Sequence, residues 1–155
     1  YTNSTTTGTE VADLTFAGLP AGTYYVCWLL LFQSAATTTS VKFGVNFTGT
    51  VTRMSMTAQF PSAGVTAATG TWEDEVNATT GQVWAYANTR TEPTTAPKLG
   101  PWVGVTAASV DHFCKVEGVI VVSDTGDLEL WCGSEVASSQ VQLSAGSCGY
   151  VIRMP

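Results

Sequence analysis

The chain has 155 residues, a formal net charge of −6 and only 12% charged residues, about half the usual share. Its six Lys and Arg are scattered singly. With neither a phosphate-binding stripe nor a polybasic segment, nucleic acid and anionic membrane surfaces are not expected partners.

Length fits one domain, residues 1–155, with a core of its own. Thr and Ser dominate the polar positions and helix formers are scarce, which favours strands. Residues 1–12 read as an extended N-terminal arm. The chain opens on Tyr1 rather than Met, as expected of a processed product or of a domain from a longer chain. "ADLTFAG" is a first short strand with Leu14 and Phe16 on one face, and "LPAGTY" is a turn. Then comes "YYVCWLLLF", nine consecutive apolar residues from Tyr24 to Phe32. It is shorter than the ~18 residues of a membrane span. Two acids and no cation precede it, so it lacks the basic flank of a signal peptide. As a strand it sends Tyr24, Val26, Trp28, Leu30 and Phe32 to one side, and Tyr25, Cys27, Leu29 and Leu31 to the other. Two apolar faces call for two dry neighbours. One is the core; a partner subunit or a long loop of the same chain covers the other.

After the loop "QSAATTTS", "VKFGVNF" alternates Val41, Phe43, Val45 and Phe47 inward with Lys42 and Asn46 outward. "VTRMSMTAQF" puts Met54 and Met56 opposite Arg53. Residues 61–101 are loop-rich around one strand, "QVWAYANT", and long loops of this kind often carry function. The last third is regular. "FCKVEGVIVV" is a strand, "SDTGD" a hairpin turn with Gly126 in the left-handed position, and "LELWCGSEV" the returning strand. "SSQVQLSAG" and "SCGYVIRM" close the chain. About eight to ten antiparallel strands without an amphipathic helix predict an all-β jelly-roll β-sandwich.

Chemistry is sparse along the chain. Asp111-His112 suggests a base with its orienting carboxylate, but neighbours on a strand face opposite ways; a loop histidine before a strand is the simpler reading. Glu73, Asp74 and Glu75 cluster after Trp72, and Asp124 and Asp127 flank a turn. Either set has oxygen ligands for a hard cation, and a solvated loop and an ordinary turn are the preferred readings. No nucleophile–base–orienter set is legible, so no enzyme activity, cofactor or metal is expected. Trp72, Trp84, Tyr86 and Trp102 are candidate ligand contacts, as sugar-stacking or hot-spot aromatics, or else caps on the open ends of the sandwich. The four cysteines allow two disulfides or four buried thiols. If "LELWC" and "CGYVI" flank the "SSQVQLSAG" region, Cys132 comes within reach of Cys148, leaving Cys27 for Cys114. Asn3, Asn46 and Asn77 sit in N-x-[ST] sequons, which favour a secreted chain.

Both ends of the chain carry a resemblance. "LTFAGLPAGTYYV" with "SAATTTSVKFGVNF", and "VEGVIVVSDTGDLELWCGSEVASSQVQLSAGS", resemble a β-domain of tailed-bacteriophage structural proteins, of the capsid-decoration and tail-appendage kind. That domain is similar to the trimeric jelly rolls of the tumour-necrosis-factor class. The match spans residues 14–48 and 116–152. It implies a virion-surface structural protein that forms a homotrimer and contacts other virion proteins, a major capsid or tail protein, and host-surface glycans. Self-association is expected through Tyr25, Leu29, Leu31, Tyr150 and Ile152. The alternative is a carbohydrate- or receptor-binding adhesin or lectin-like module, phage-borne or secreted.

Overall fold

The computed structural model describes residues 1–61, 74–77, 82–87, 104–105 and 107–155, with the backbone alone for 60–61, 74–77 and 82–87. The chain enters through β1 (Thr2–Asn3), β2 (Thr9–Glu10) and a 3-10 turn (Ala12–Leu14). Then follow β3 (Phe16–Leu19), β4 (Gly22–Ser34), β5 (Val41–Phe47), β6 (Val51–Pro61), β7 (Asp74–Asn77) and β8 (Gln82–Ala87). β9 (His112–Val122), β10 (Gly126–Ser134), β11 (Val141–Leu143) and β12 (Cys148–Arg153) complete the described strands.

They form two antiparallel sheets packed as a β-sandwich. The larger runs β1-β11-β4-β9-β6-β8-β7, and β12 also pairs with β4. The strand β4 is its spine. One edge of β4 binds β9 from Gly22 to Phe32; the other binds β12 over Tyr24–Leu29 and β11 over Phe32–Ser34. The smaller sheet is organised around β10, with β5 along one edge and β2 and β3 sharing the other.

The chain crosses between sheets at β1–β2, β3–β4, β4–β5, β5–β6, β9–β10 and β10–β11. That corrects the reading of "SDTGD". β9 and β10 do not pair with each other, so Ser123–Asp127 is an arch between sheets rather than a hairpin turn. Among the described glycines, positive φ falls at Gly18 and Gly146, not at Gly126. Carboxylates hold the arch in place of a hairpin ladder. Asp124 accepts from the Thr50 amide at 2.6 Å and its hydroxyl at 2.8 Å, and Asp127 from the Gly18 amide at 2.7 Å.

Period-2 alternation fills the core. Tyr24, Val26, Trp28, Leu30 and Phe32 meet Val41, Phe43, Val45 and Phe47, together with Met54, Met56, Leu128 and Leu130. Burying each large side chain stabilises the sandwich by roughly 1.5–3 kcal/mol. Trp28 is fully buried, and its indole N–H donates to the Leu14 carbonyl at 2.9 Å. The ring fits because Gly149 lies opposite it on β12; a Cβ there would come within 2.5 Å of the indole.

The N-terminal arm is stitched to both sheets, β1 on β11 and β2 on β10. Asn3 is buried, and its side-chain amide donates to the Cys132 carbonyl at 3.0 Å and the Thr7 carbonyl at 3.2 Å. A glycan on that nitrogen is incompatible with this packing, so the Asn3 sequon is closed in the folded chain. In the middle, "WEDEV" contributes β7, which pairs with β8; the sequence predicts only one strand there.

Truncating the core tryptophan tests this arrangement. Trp28→Ala is expected to lower unfolding free energy by about 3–5 kcal/mol through the cavity it opens, read as a lower urea midpoint.

Candidate functional site

The outward side chains of the larger sheet fall into rows set by strand register. One row is Ile152, Tyr25, Val119 and Ser55 across β12, β4, β9 and β6. The next is Tyr150, Cys27, Glu117 and Thr57, followed by Cys148, Leu29, Lys115 and Gln59. A shorter row pairs Leu31 with Phe113. Phe113 and Ile152 are 52% exposed, Tyr150 43% and Val119 40%. All five residues expected to mediate self-association, Tyr25, Leu29, Leu31, Tyr150 and Ile152, thus share one face.

Apolar side chains surround a polar centre. Lys115 Nζ lies 2.5 Å from Glu117 Oε1. The Tyr25 hydroxyl donates to the other Glu117 oxygen, and the Tyr25 and Tyr150 rings are tilted with centroids 6.2 Å apart. Beneath them Cys27 is 1% exposed. Lys115 and Tyr25 hold the Glu117 carboxyl below its ordinary range. The same carboxylate raises the Tyr25 phenol and the Lys115 ammonium. Burial pushes the Cys27 thiol up, which keeps it protonated.

Phe113 and Val119 were not singled out in the sequence. The signal was there: alternation in "FCKVEGVIVV" puts Phe113, Lys115, Glu117 and Val119 on one side, apolar at the ends and charged in the middle.

Both expected disulfide pairings are corrected. All four cysteines are free thiols. Cys27 faces outward from β4, whereas Cys114 faces the core from β9. Likewise Cys132 is in the core on β10, and Cys148 is exposed beside Leu29. Each pairing would join the inside of the sandwich to the outside of the larger sheet.

His112 opens β9 and is buried, which corrects the loop reading. Its Nε2 lies 2.8 Å from the Ala107 carbonyl, and its ring is 5.5 Å from that of Phe32. Asp111 turns the other way and accepts from Gln33 Nε2 at 3.0 Å and Ser144 Oγ at 2.6 Å. The two side chains therefore form no dyad. Asp124 and Asp127 are engaged by the arch, and among the described residues no three His, Cys, Asp or Glu converge as a metal site. Glu73, Trp72 and Trp102 lie outside the described residues. Asp74 and Glu75 are on β7; on β8, Trp84 pairs in register with Gln59 and Tyr86 with Thr57. At one end of the sandwich, Gln33, Ser34, Ser109, Gln140 and Gln142 line a depression of about 80 Å³. That is well below the roughly 300 Å³ at which small-molecule pockets begin.

Compared with known proteins, the chain matches no family model, no curated protein and no solved structure.

Thiol chemistry checks the inside–outside assignment. Dilute native protein treated with iodoacetamide should gain one adduct quickly, on Cys148, and four after unfolding in guanidinium. Two fast adducts, or none at a dilution where the chain is monomeric, would contradict the placement.

Proposed function

We propose that this chain is a non-enzymatic structural protein that self-associates, as a homotrimer, through the outer face of its larger sheet. The observation that carries the reading is the set of rows just described. Four large apolar side chains, each at least 40% exposed, are contiguous with the half-buried Tyr25, Leu29 and Leu31. Monomers seldom leave such a patch open to water.

Charge argues for a second copy as the occupant. The face carries Lys115 and Glu117 side by side, so its centre is neutral and meets an identical surface without net repulsion. A strongly charged partner would find little to steer it here. The setting proposed, the surface of a phage capsid or tail, rests on the resemblance of residues 14–48 and 116–152. Those two segments supply Tyr25, Leu29, Leu31, Glu117, Val119, Tyr150 and Ile152, most of the face. Neighbouring virion proteins would then meet other surfaces of the trimer. A glycan-binding module remains the competing proposal, resting on Trp72, Trp84, Tyr86 and Trp102.

Light scattering at micromolar concentration is the test. The expected mass is three times the 16.3 kDa chain. Ile152→Asp, on an exposed site, should leave the circular dichroism unchanged and weaken association about ten-fold or more. A well-behaved monomer would overturn the reading. Glycan-array binding lost in Trp84→Ala, from a monomeric protein, would favour the competing one.

A further inference from the structure

Among the residues whose side chains are described, the polar centre of the outer face holds one group that changes charge between neutral and acid pH. The β9 strand carries Lys115 and Glu117; beside it β4 presents Tyr25 and Cys27, and β12 presents Tyr150 and Cys148. On the other side β6 presents Arg53, Ser55, Thr57 and Gln59, with Arg53 opposite Val121. Tyr25, Tyr150 and Cys27 have raised pKa values and are neutral throughout that range, and Lys115, also raised, is cationic throughout. Asp111 lies beyond Phe113 at one end of this face, held by Gln33 and Ser144; at the centre, among the residues whose side chains are described, Glu117 is the group that responds.

Its position makes that response consequential. The Glu117 carboxylate takes Lys115 on one oxygen and the Tyr25 hydroxyl on the other. Val119 and Phe113 flank it along β9, and Tyr150 and Ile152 lie two strands away. A partner that covers the apolar rows also covers this pair. We propose that the Lys115–Glu117–Tyr25 set makes association of this face acid-sensitive, because protonating Glu117 leaves the Lys115 ammonium enclosed between copies without its counter-charge. This inference rests on the self-association proposed above.

The direction follows from linkage. Glu117 has a lowered pKa in the folded chain. Its favourable contribution is therefore fully present above the ordinary carboxylate value and is lost as pH falls through its own, lower value. Removing one member of an enclosed ion pair is costly, whereas replacing both members with apolar groups is close to neutral. The two kinds of variant therefore separate this mechanism from general acid denaturation.

Sedimentation velocity from pH 7 to pH 3, with circular dichroism as a check on folding, tests it. Wild-type protein is expected to be associated at pH 7 and to dissociate, while still folded, as pH falls below the ordinary carboxylate range. Glu117→Gln should be weakened ten-fold or more already at pH 7. The double variant Lys115→Met with Glu117→Leu should stay associated at acid pH. Tyr25→Phe removes one donor to the carboxylate and should move dissociation to higher pH. Association that is insensitive to pH, or a double variant that dissociates alongside the wild type, overturns this inference and leaves self-association standing. Monomer at every pH overturns both.

Discussion

Everything in this molecule is arranged around one strand with two apolar sides. The thirteen residues of β4 pair along both edges, with β9 on one and β11 and β12 on the other. Its inner side chains, led by Trp28 and Phe32, form the middle of the core. Satisfying the backbone along both edges fixes the register of the neighbours, since a slip of one residue would exchange their faces. That register then decides what stands on the outside. Tyr150 and Ile152 are brought beside Cys27 and Tyr25, and Phe113 and Val119 beside Leu31 and Tyr25.

The outer face follows from the same constraint. Side chains that serve no role in the core still line up in rows, because β9 and β12 alternate in phase with β4. Lys115 and Glu117 break the apolar surface at its centre with opposite charges, which keeps the exposed patch neutral while adding a directional contact. Cys27 is sealed under two tyrosines rather than offered to a partner thiol. In the core, Cys114 and Cys132 are both fully buried, and burial raises the pKa of each thiol. Inert protonated thiols of this kind fill space as small apolar groups.

Much of the fold was legible because it depends on alternation. The two alternating sets of β4, the inward set of β5, and the placing of Met54 and Met56 on one side opposite Arg53 follow from period 2 alone. So does the grouping of Tyr25, Leu29 and Leu31. What stayed hidden depends on which strands are neighbours. "SDTGD" has the composition of a hairpin turn, yet it spans two sheets, and composition does not tell an arch from a hairpin. The cysteine pairing failed for a related reason. Segments that neighbour each other in sequence can still face opposite ways, and a sheet one strand thick separates Cys27 from Cys114 more effectively than any distance along the chain. His112 looked like a loop residue because strand ends carry little pattern of their own.

The central claim is that copies of this chain meet through the outer face of the larger sheet. Hydroxyl-radical footprinting read by mass spectrometry, at rising protein concentration, tests it most directly. Tyr150 and Phe113 should become protected as concentration increases, while Val136, exposed away from the larger sheet, keeps its reactivity. Unchanged labelling of Tyr150 and Phe113 in the associated protein, with protection elsewhere, would contradict the account.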